Sequence, residues 1–208
     1  MAVLERAVPC SAEGLVIQAP HLTTTAGASG SFDVLLLNTN PAGGASFNVA
    51  ADSFQLSLSG PLSVTFTDVT INTVVPYIYV TSGTTQGGGP LSLDTFPNTQ
   101  FTASDSEFAA PGFRTVNPGD VFGLAHVSYS VSATTANGID SLTITPGPTT
   151  SLSDENGNSL PFTIANGSIS VGAVPEPWAL TQATIAAALI GLGYRCRRSK
   201  RAVTESKD

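Results

Sequence analysis

Apolar residues recur at every second position through most of the chain. Phe54, Leu56 and Leu58 alternate with Ser53, Gln55, Ser57 and Ser59, and Leu62, Val64 and Phe66 alternate with Ser63, Thr65 and Thr67. The same period sets Ala125, Val127, Tyr129 and Val131 against His126, Ser128, Ser130 and Ser132, and it continues in Leu142 with Ile144, Leu160 with Phe162 and Ile164, and Ile169 with Val171. Successive side chains of an extended chain point to opposite faces, so each segment has one apolar and one hydroxylic face and is expected to be a half-buried strand. Denser apolar runs at Leu15 to Gln18, Phe32 to Leu37 and Tyr77 to Val80 fit strands covered on both sides. Turn chemistry separates these segments: Pro41 to Gly44, Gly87 to Pro90, Asn117-Pro118-Gly119-Asp120, Asn137-Gly138, Asn156-Gly157 and Asn166-Gly167. Asn-Gly favours the positive φ angles of tight hairpins. Nothing before Val174 carries helical periodicity, so residues 13–173 are expected to form an all-β, antiparallel β-sandwich of about nine strands.

Composition agrees with that pattern. Ser (23), Thr (25), Gly (20) and Pro (14) are abundant and charged residues make up 11% of the chain, which is poor material for helices; the 41% hydrophobic content excludes wholesale disorder. Charge is unevenly placed. Between Ser11 and Val174 there are eleven acids and a single base, Arg114, whereas Arg195 to Asp208 holds six bases and two acids. Such an acidic body repels phosphate backbones, which excludes nucleic acid as a partner. The two cysteines, Cys10 and Cys196, stand near opposite ends of the chain, so no disulfide braces the body.

The tail has three parts. Val174, Pro175, Glu176 and Pro177 lead into Trp178 to Tyr194, seventeen residues whose clearly polar members are Thr181, Gln182 and Thr184, and then comes Arg195-Cys196-Arg197-Arg198. At ~1.5 Å per residue the apolar segment spans about 25 Å, a marginal single transmembrane helix for a hydrocarbon core of ~30 Å. Trp178 and Tyr194 suit the two interfaces, and Arg195, Arg197 and Arg198 form a stop signal that fixes the cytoplasmic end. Prolines 175 and 177 keep the motif extended and prevent the helix from growing back into the body. The order of motif, apolar helix and basic cluster resembles the PEP-CTERM sorting signal, which implies cleavage by the membrane protease-transpeptidase exosortase of Gram-negative bacteria. It implies a protein held transiently in the inner membrane, then delivered to the cell surface or to an extracellular matrix of exopolysaccharide. At the other end, Met1 to Pro20 lacks a continuous apolar run, yet Cys10-Ser11-Ala12 has the small residues that precede a signal-peptidase cut. Residues 1–12 are therefore read as the end of a signal peptide, 13–173 as the sandwich and 174–208 as the sorting signal.

The body, through Ala26 to Asn38, Val116 to Val131 and Ser151 to Val171, resembles the cohesin-like and carbohydrate-binding-module-like sandwiches of bacterial surface proteins. That resemblance implies the sandwich architecture but carries no binding partner with it; a module that holds a carbohydrate or a partner protein is one of the functions it leaves open. Groups for catalysis are missing. His21 and His126 lack metal-ligand spacing, and His126 falls on the polar face of a strand. The carboxylate pairs Asp105/Glu107 and Asp154/Glu155 read as solvated turn residues, and Asp154, Asn156 and Asn158 around Gly157 read as a hairpin turn instead of a calcium loop. Tyr77, Tyr79 and Phe113 are available either to stack on sugar rings or to pack in the core. The expectation is a non-enzymatic, exported surface or matrix protein needing no cofactor or metal. The alternative is a carbohydrate- or protein-binding module that stays membrane-anchored.

Overall fold

The computed structural model describes residues 14–79 and 98–172. Thirteen strands follow one another among the described residues: β1 (Leu15–Gln18), β2 (His21–Thr25), β3 (Ser29–Asn38), β4 (Phe47–Val49), β5 (Ala51–Ser59), β6 (Val64–Thr70), β7 (Gln100–Ser106), β8 (Arg114–Val116), β9 (Val121–Val131), β10 (Gly138–Ile144), β11 (Ser151–Ser153), β12 (Phe162–Ala165) and β13 (Gly167–Gly172). One sheet runs in the order β12-β1-β3-β9-β6 and the other β11-β5-β10-β13-β2, with β7 on the free edge of β5; β4 and β8 form a separate ribbon. The alternating segments fall as expected in β5, β6, β9, β10, β12 and β13.

The differences have physical causes. β7 reads as polar because an acid, Asp105, occupies the inward position after Phe101 and Ala103. β2 has one apolar residue, Leu22, and survives as an edge strand by pairing with β13. Tyr77 makes only a single bridge, to Gly123, so the described part of the Tyr77 to Val80 run is not a strand. Gly138 opens β10 opposite Val171 with no turn of its own, which corrects the hairpin expected at Asn137-Gly138.

The expectation of purely antiparallel pairing is also corrected, because β1 runs parallel to β12 and β2 runs parallel to β13. Both ends of the domain change sheet at the same place. The chain leaves β1 for β2 through Ala19-Pro20, and it leaves β12 for β13 through Asn166, so the expected Asn166-Gly167 hairpin is instead a crossing between sheets. The amide of Ala19 donates to the Ala165 carbonyl (2.9 Å) and that of Ser168 to the Pro20 carbonyl (3.0 Å). Asn166 Oδ1 accepts from the Ile144 amide (2.9 Å), extending the β10 ladder beyond Gly167. Glycine at 167 is there for space: a Cβ on it would collide with the carbonyl of Pro20.

Between the sheets lies one core. Its centre is a run of rings that crosses from sheet to sheet: Phe54 meets Phe101 edge-on (6.0 Å), Phe101 meets Phe66 (5.3 Å), and Phe32 touches both Phe66 (6.4 Å) and Tyr129 (6.1 Å). Edge-to-face pairs of this kind add about 0.5–1.5 kcal/mol each to the burial of the rings.

Replacing Gly167 by Ala should cost about 1–3 kcal/mol, because the obstacle is backbone and cannot swing aside. Thermal unfolding should show a fall of roughly 3–10 °C. Gly172→Ala meets nothing closer than 3.9 Å and should leave the midpoint unchanged, so equal effects of the two changes would contradict the crowded crossing.

Candidate functional site

The end of the sandwich where β3 finishes and β9 begins carries an open cleft. Asn38, the last residue of β3, is buried and organises it. Its Nδ2 donates to the carbonyls of Ala45 (2.9 Å) and Val116 (3.0 Å), and its Oδ1 accepts from the amide of Asn40 (3.1 Å). Its backbone bonds to Asp120 and Gly119, tying in the Asn117–Asp120 turn, which Gly119 closes at φ 85°. Asp120 Oδ2 accepts from both the amide (2.7 Å) and Nδ2 (3.1 Å) of Asn117. The ribbon supplies Arg114, held opposite Val49. Between the ribbon, this turn, Pro76 and Pro111 opens a cleft of about 590 Å³ with Phe113, Val121 and Phe122 in its walls. The Arg114 guanidinium lies over the Phe122 ring, 5.0 Å from its centre. Among the described residues it has no carboxylate partner; the one contact there between a basic side chain and a carboxylate is the hydrogen bond of His126 with Asp33.

That pair braces the approach to the cleft. Asp33 and His126 stand opposite each other on β3 and β9, with Asp33 Oδ1 2.6 Å from His126 Nδ1. Asp33 Oδ2 accepts from the amides of Val74 (2.7 Å) and Val75 (3.4 Å), which fastens the segment leading to Pro76 across the face of the sheet. Thr73 settles into the space left by Gly123. His126 is on the polar face as expected, but half-buried and bonded.

Beside the cleft, behind Tyr77, lies a buried acid and phenol cluster. Along β5 the inward positions are Asp52, Phe54, Leu56 and Leu58, and across the ladder Asp52 faces Asp105 of β7. Tyr77 donates to Asp105 Oδ2 (2.8 Å) and packs edge-on against Tyr79 (5.8 Å). Asp52 is 5% exposed and Tyr79 2%, and neither Asp52 Oδ1 nor the Tyr79 hydroxyl has a hydrogen-bond partner of good geometry. Burial pushes the Asp52 carboxyl up to about 8; the nearby Tyr79 hydroxyl pulls it back, through its dipole, and the charge of Asp105 adds to the rise. Burial, with the adjoining acids, also raises the Tyr77 and Tyr79 phenols. Burial thus favours the neutral, protonated form of Asp52.

Several residues singled out in the sequence are placed differently from expectation. Asp105 and Glu107 are not solvated turn residues: Asp105 is in β7, and Glu107 is buried with Oε1 accepting from the Ala109 amide (3.0 Å). Asp154 does form the expected hairpin turn. It accepts from the amides of Asn156 (2.9 Å) and Asn158 (2.8 Å) and from Asn158 Nδ2 (2.9 Å), bonds that lower its carboxyl below the usual range. Tyr79 is core, Tyr77 is half-buried, and Phe113 lines the cleft. His21 bonds to Ser168 (2.9 Å) across the β2–β13 edge. The motif Val174, Pro175, Glu176 and Pro177, the 178–194 span and Arg195, Arg197 and Arg198 lie outside the described residues, as does 1–12. Among the described residues, no helix is long and apolar enough to cross a membrane, and no three metal-ligating side chains converge. The sequence reading missed Asp52, though an acid in the apolar register of Phe54, Leu56 and Leu58 was the available signal.

No protein-family model matches the chain, and no curated protein is similar to it. Solved structures are. The seventh ScaB type I cohesin of Pseudobacteroides cellulosolvens superposes with a TM-score of 0.56 at 18% identity, covering 79% of this chain and 96% of that one. A chain of the Coh-OlpA-Doc918 complex, a type I cohesin-dockerin complex from Clostridium thermocellum, gives 0.56 at 12% identity, with 77% and 100% covered. A non-cellulosomal cohesin of the archaeon Archaeoglobus fulgidus gives 0.51 at 17% identity, with 81% and 97% covered. The sandwich therefore has the cohesin fold.

The buried acid makes a pH prediction. Between the ordinary carboxylate value near 3.8 and about 8, the folded chain holds a proton on Asp52 that the unfolded chain has released. Stability must then fall as pH rises through that interval, by up to ~1.4 kcal/mol per pH unit from this group, and level off above it. Asp52→Asn keeps the neutral shape and should remove the decline. Denaturant unfolding of both proteins at pH 5 to 9 checks this, and parallel curves would show that Asp52 is not the group involved.

Proposed function

We propose that the protein is an exported, non-enzymatic binding protein of the bacterial surface or extracellular matrix. Its sandwich binds a protein partner, and its C-terminal segment is a sorting signal cut by an exosortase. The observation that carries the first part is the likeness of fold over the whole length of cohesin chains, one of them from a complex with a dockerin. The protein reading is preferred to the carbohydrate one because Tyr79 is buried and Tyr77 is bonded to Asp105, which leaves Phe113 alone of the three candidate stacking residues beside open space.

The second part rests on the order of Val174-Pro175-Glu176-Pro177, the apolar 178–194 segment and the Arg195, Arg197, Arg198 cluster. Placement is compatible with it. β9 starts at the cleft with Val121 and runs eleven residues to Val131, about 35 Å at ~3.3 Å each. Gly172 pairs with Thr25, next to the Gly27–Ser132 contact at the far end of β9. Gly172, the last described residue, thus lies at the end of the sandwich opposite the cleft.

Glu176→Ala removes the only charge of the motif without touching the span or the arginines. In a host carrying the processing enzyme the variant should stay full length in the inner-membrane fraction while the unaltered protein is shortened and released; equal release would reduce the segment to an ordinary anchor. For the module, a photo-crosslinking residue placed in turn at Ser57, Ser128 and Thr115 should yield a discrete protein adduct in that host. Adducts with polysaccharide alone, or none, would overturn the protein-binding reading.

A further inference from the structure

We propose that the Arg114 cleft is the pocket for a carboxylate on an extended segment of the partner protein, one whose neighbouring residues are prolyl or apolar. The proposal rests on the reading of the sandwich as a protein-binding module and names the chemistry that the module recognises.

The argument starts from Arg114. The body has eleven acids and one base between Ser11 and Val174, so a cation there has abundant opportunity to pair. It does not pair. The guanidinium carbon sits over the Phe122 ring, 5.0 Å from its centre, a contact that helps to place the side chain, and a guanidinium offers the N–H fork that matches a carboxylate with two parallel bonds. Holding an unpaired guanidinium over a ring reduces the ordering cost of binding, because the long side chain is already placed.

The rest of the cleft defines what flanks the carboxylate. Pro76, Pro111, Phe113 and Val121 give apolar walls, and the volume of about 590 Å³ is within the ~300–1,000 Å³ of typical ligand sites. Most polar atoms that line it are engaged: Asp120 Oδ2 accepts from Asn117, Asn117 Oδ1 accepts from the Ser46 hydroxyl (3.1 Å) and the Thr115 hydroxyl donates to Asn48 Oδ1 (3.0 Å), while Asp120, an acid of the lining, disfavours a second anion away from Arg114. A sugar would present hydroxyls to these walls and find few free partners, and the Phe122 face on which it would stack is taken by Arg114. An acidic side chain between prolines or other apolar residues leaves no such group unsatisfied.

The test uses the full chain in dodecylmaltoside micelles and calorimetric titration with three probes: acetyl-Pro-Glu-Pro-amide, acetyl-Pro-Gln-Pro-amide and digalacturonate. The Glu peptide should bind saturably, and the Gln peptide about tenfold or more weaker, the scale of one charge-assisted pair. Arg114→Gln should weaken the Glu peptide to the same degree, and Arg114→Lys, which keeps the charge and loses the fork, should fall between. The Glu-to-Gln comparison on the unaltered protein needs no variant to fold. Equal affinity for the two peptides, no binding of either, or preference for digalacturonate would each overturn the proposal. If the peptides fail while the crosslinked protein adduct still forms, the cleft assignment is wrong and the module reading stands; if the adduct is absent as well, both fall.

Discussion

Everything in this sandwich depends on the paired crossing in which β1 passes to β2 and β12 passes to β13 side by side. Two parallel ladders meet there, and the amides of Ala19 and Ser168 bond across the crossing. The contacts join residues near 20 to residues near 167, so almost the entire described chain is enclosed by them. Loop closure over such a length costs only about 0.6 kcal/mol for each doubling of the loop, but the contacts reward the chain only when nearly all of it is in place. Because β12 lies outside β1 in one sheet and β2 lies outside β13 in the other, the same crossing also gives each terminal strand a neighbour that covers one of its edges.

Locking one side of the sheets leaves the cleft end to be held by local devices. Asn38 and Asp33 do this with side chains, satisfying backbone groups of the ribbon and of loops outside the two main sheets. The acid and phenol cluster behind Tyr77 is a different kind of element. A buried carboxylate normally needs a cationic partner, and this body has a single cation, which is over Phe122 instead. Asp52 meets the problem by keeping its proton. The other buried acids, Glu107 and Asp140, accept instead from the backbone amides of Ala109 and Leu62, so an acidic body with one arginine buries its carboxyls without a cation.

The sequence reveals the parts of this structure that are local and fails where partners are distant. β5, β9, β10 and β13 could be read residue by residue, since alternation alone specifies an extended strand with one wet face. β7 could not, because Asp105 interrupts the apolar register and its partner, the Tyr77 hydroxyl, comes from a separate segment. The Asn166-Gly167 pair carries the chemistry of a tight turn, yet here Gly167 is required by the carbonyl of Pro20, nearly 150 positions earlier, and no local pattern reports that. The cleft was half legible. A lone base in an acidic chain is conspicuous, but its ring partner follows eight residues later, beyond a turn, and the prolines that wall the cleft come from separate loops.

That lone base also decides how an acidic ligand is met. The body's net charge repels an anion at long range, while Arg114 attracts it only within a Debye length, about 8 Å at physiological ionic strength. Encounter is then not steered, and added salt weakens the long-range repulsion more than the close pair inside a partly desolvated cleft. Affinity on this reading comes from the fork on Phe122 and from apolar walls, both short-ranged. A densely acidic segment is disfavoured by the repulsion that a single carboxylate between apolar residues largely avoids. On this reading the body's net charge favours a partner that brings one negative charge and delivers it to one place.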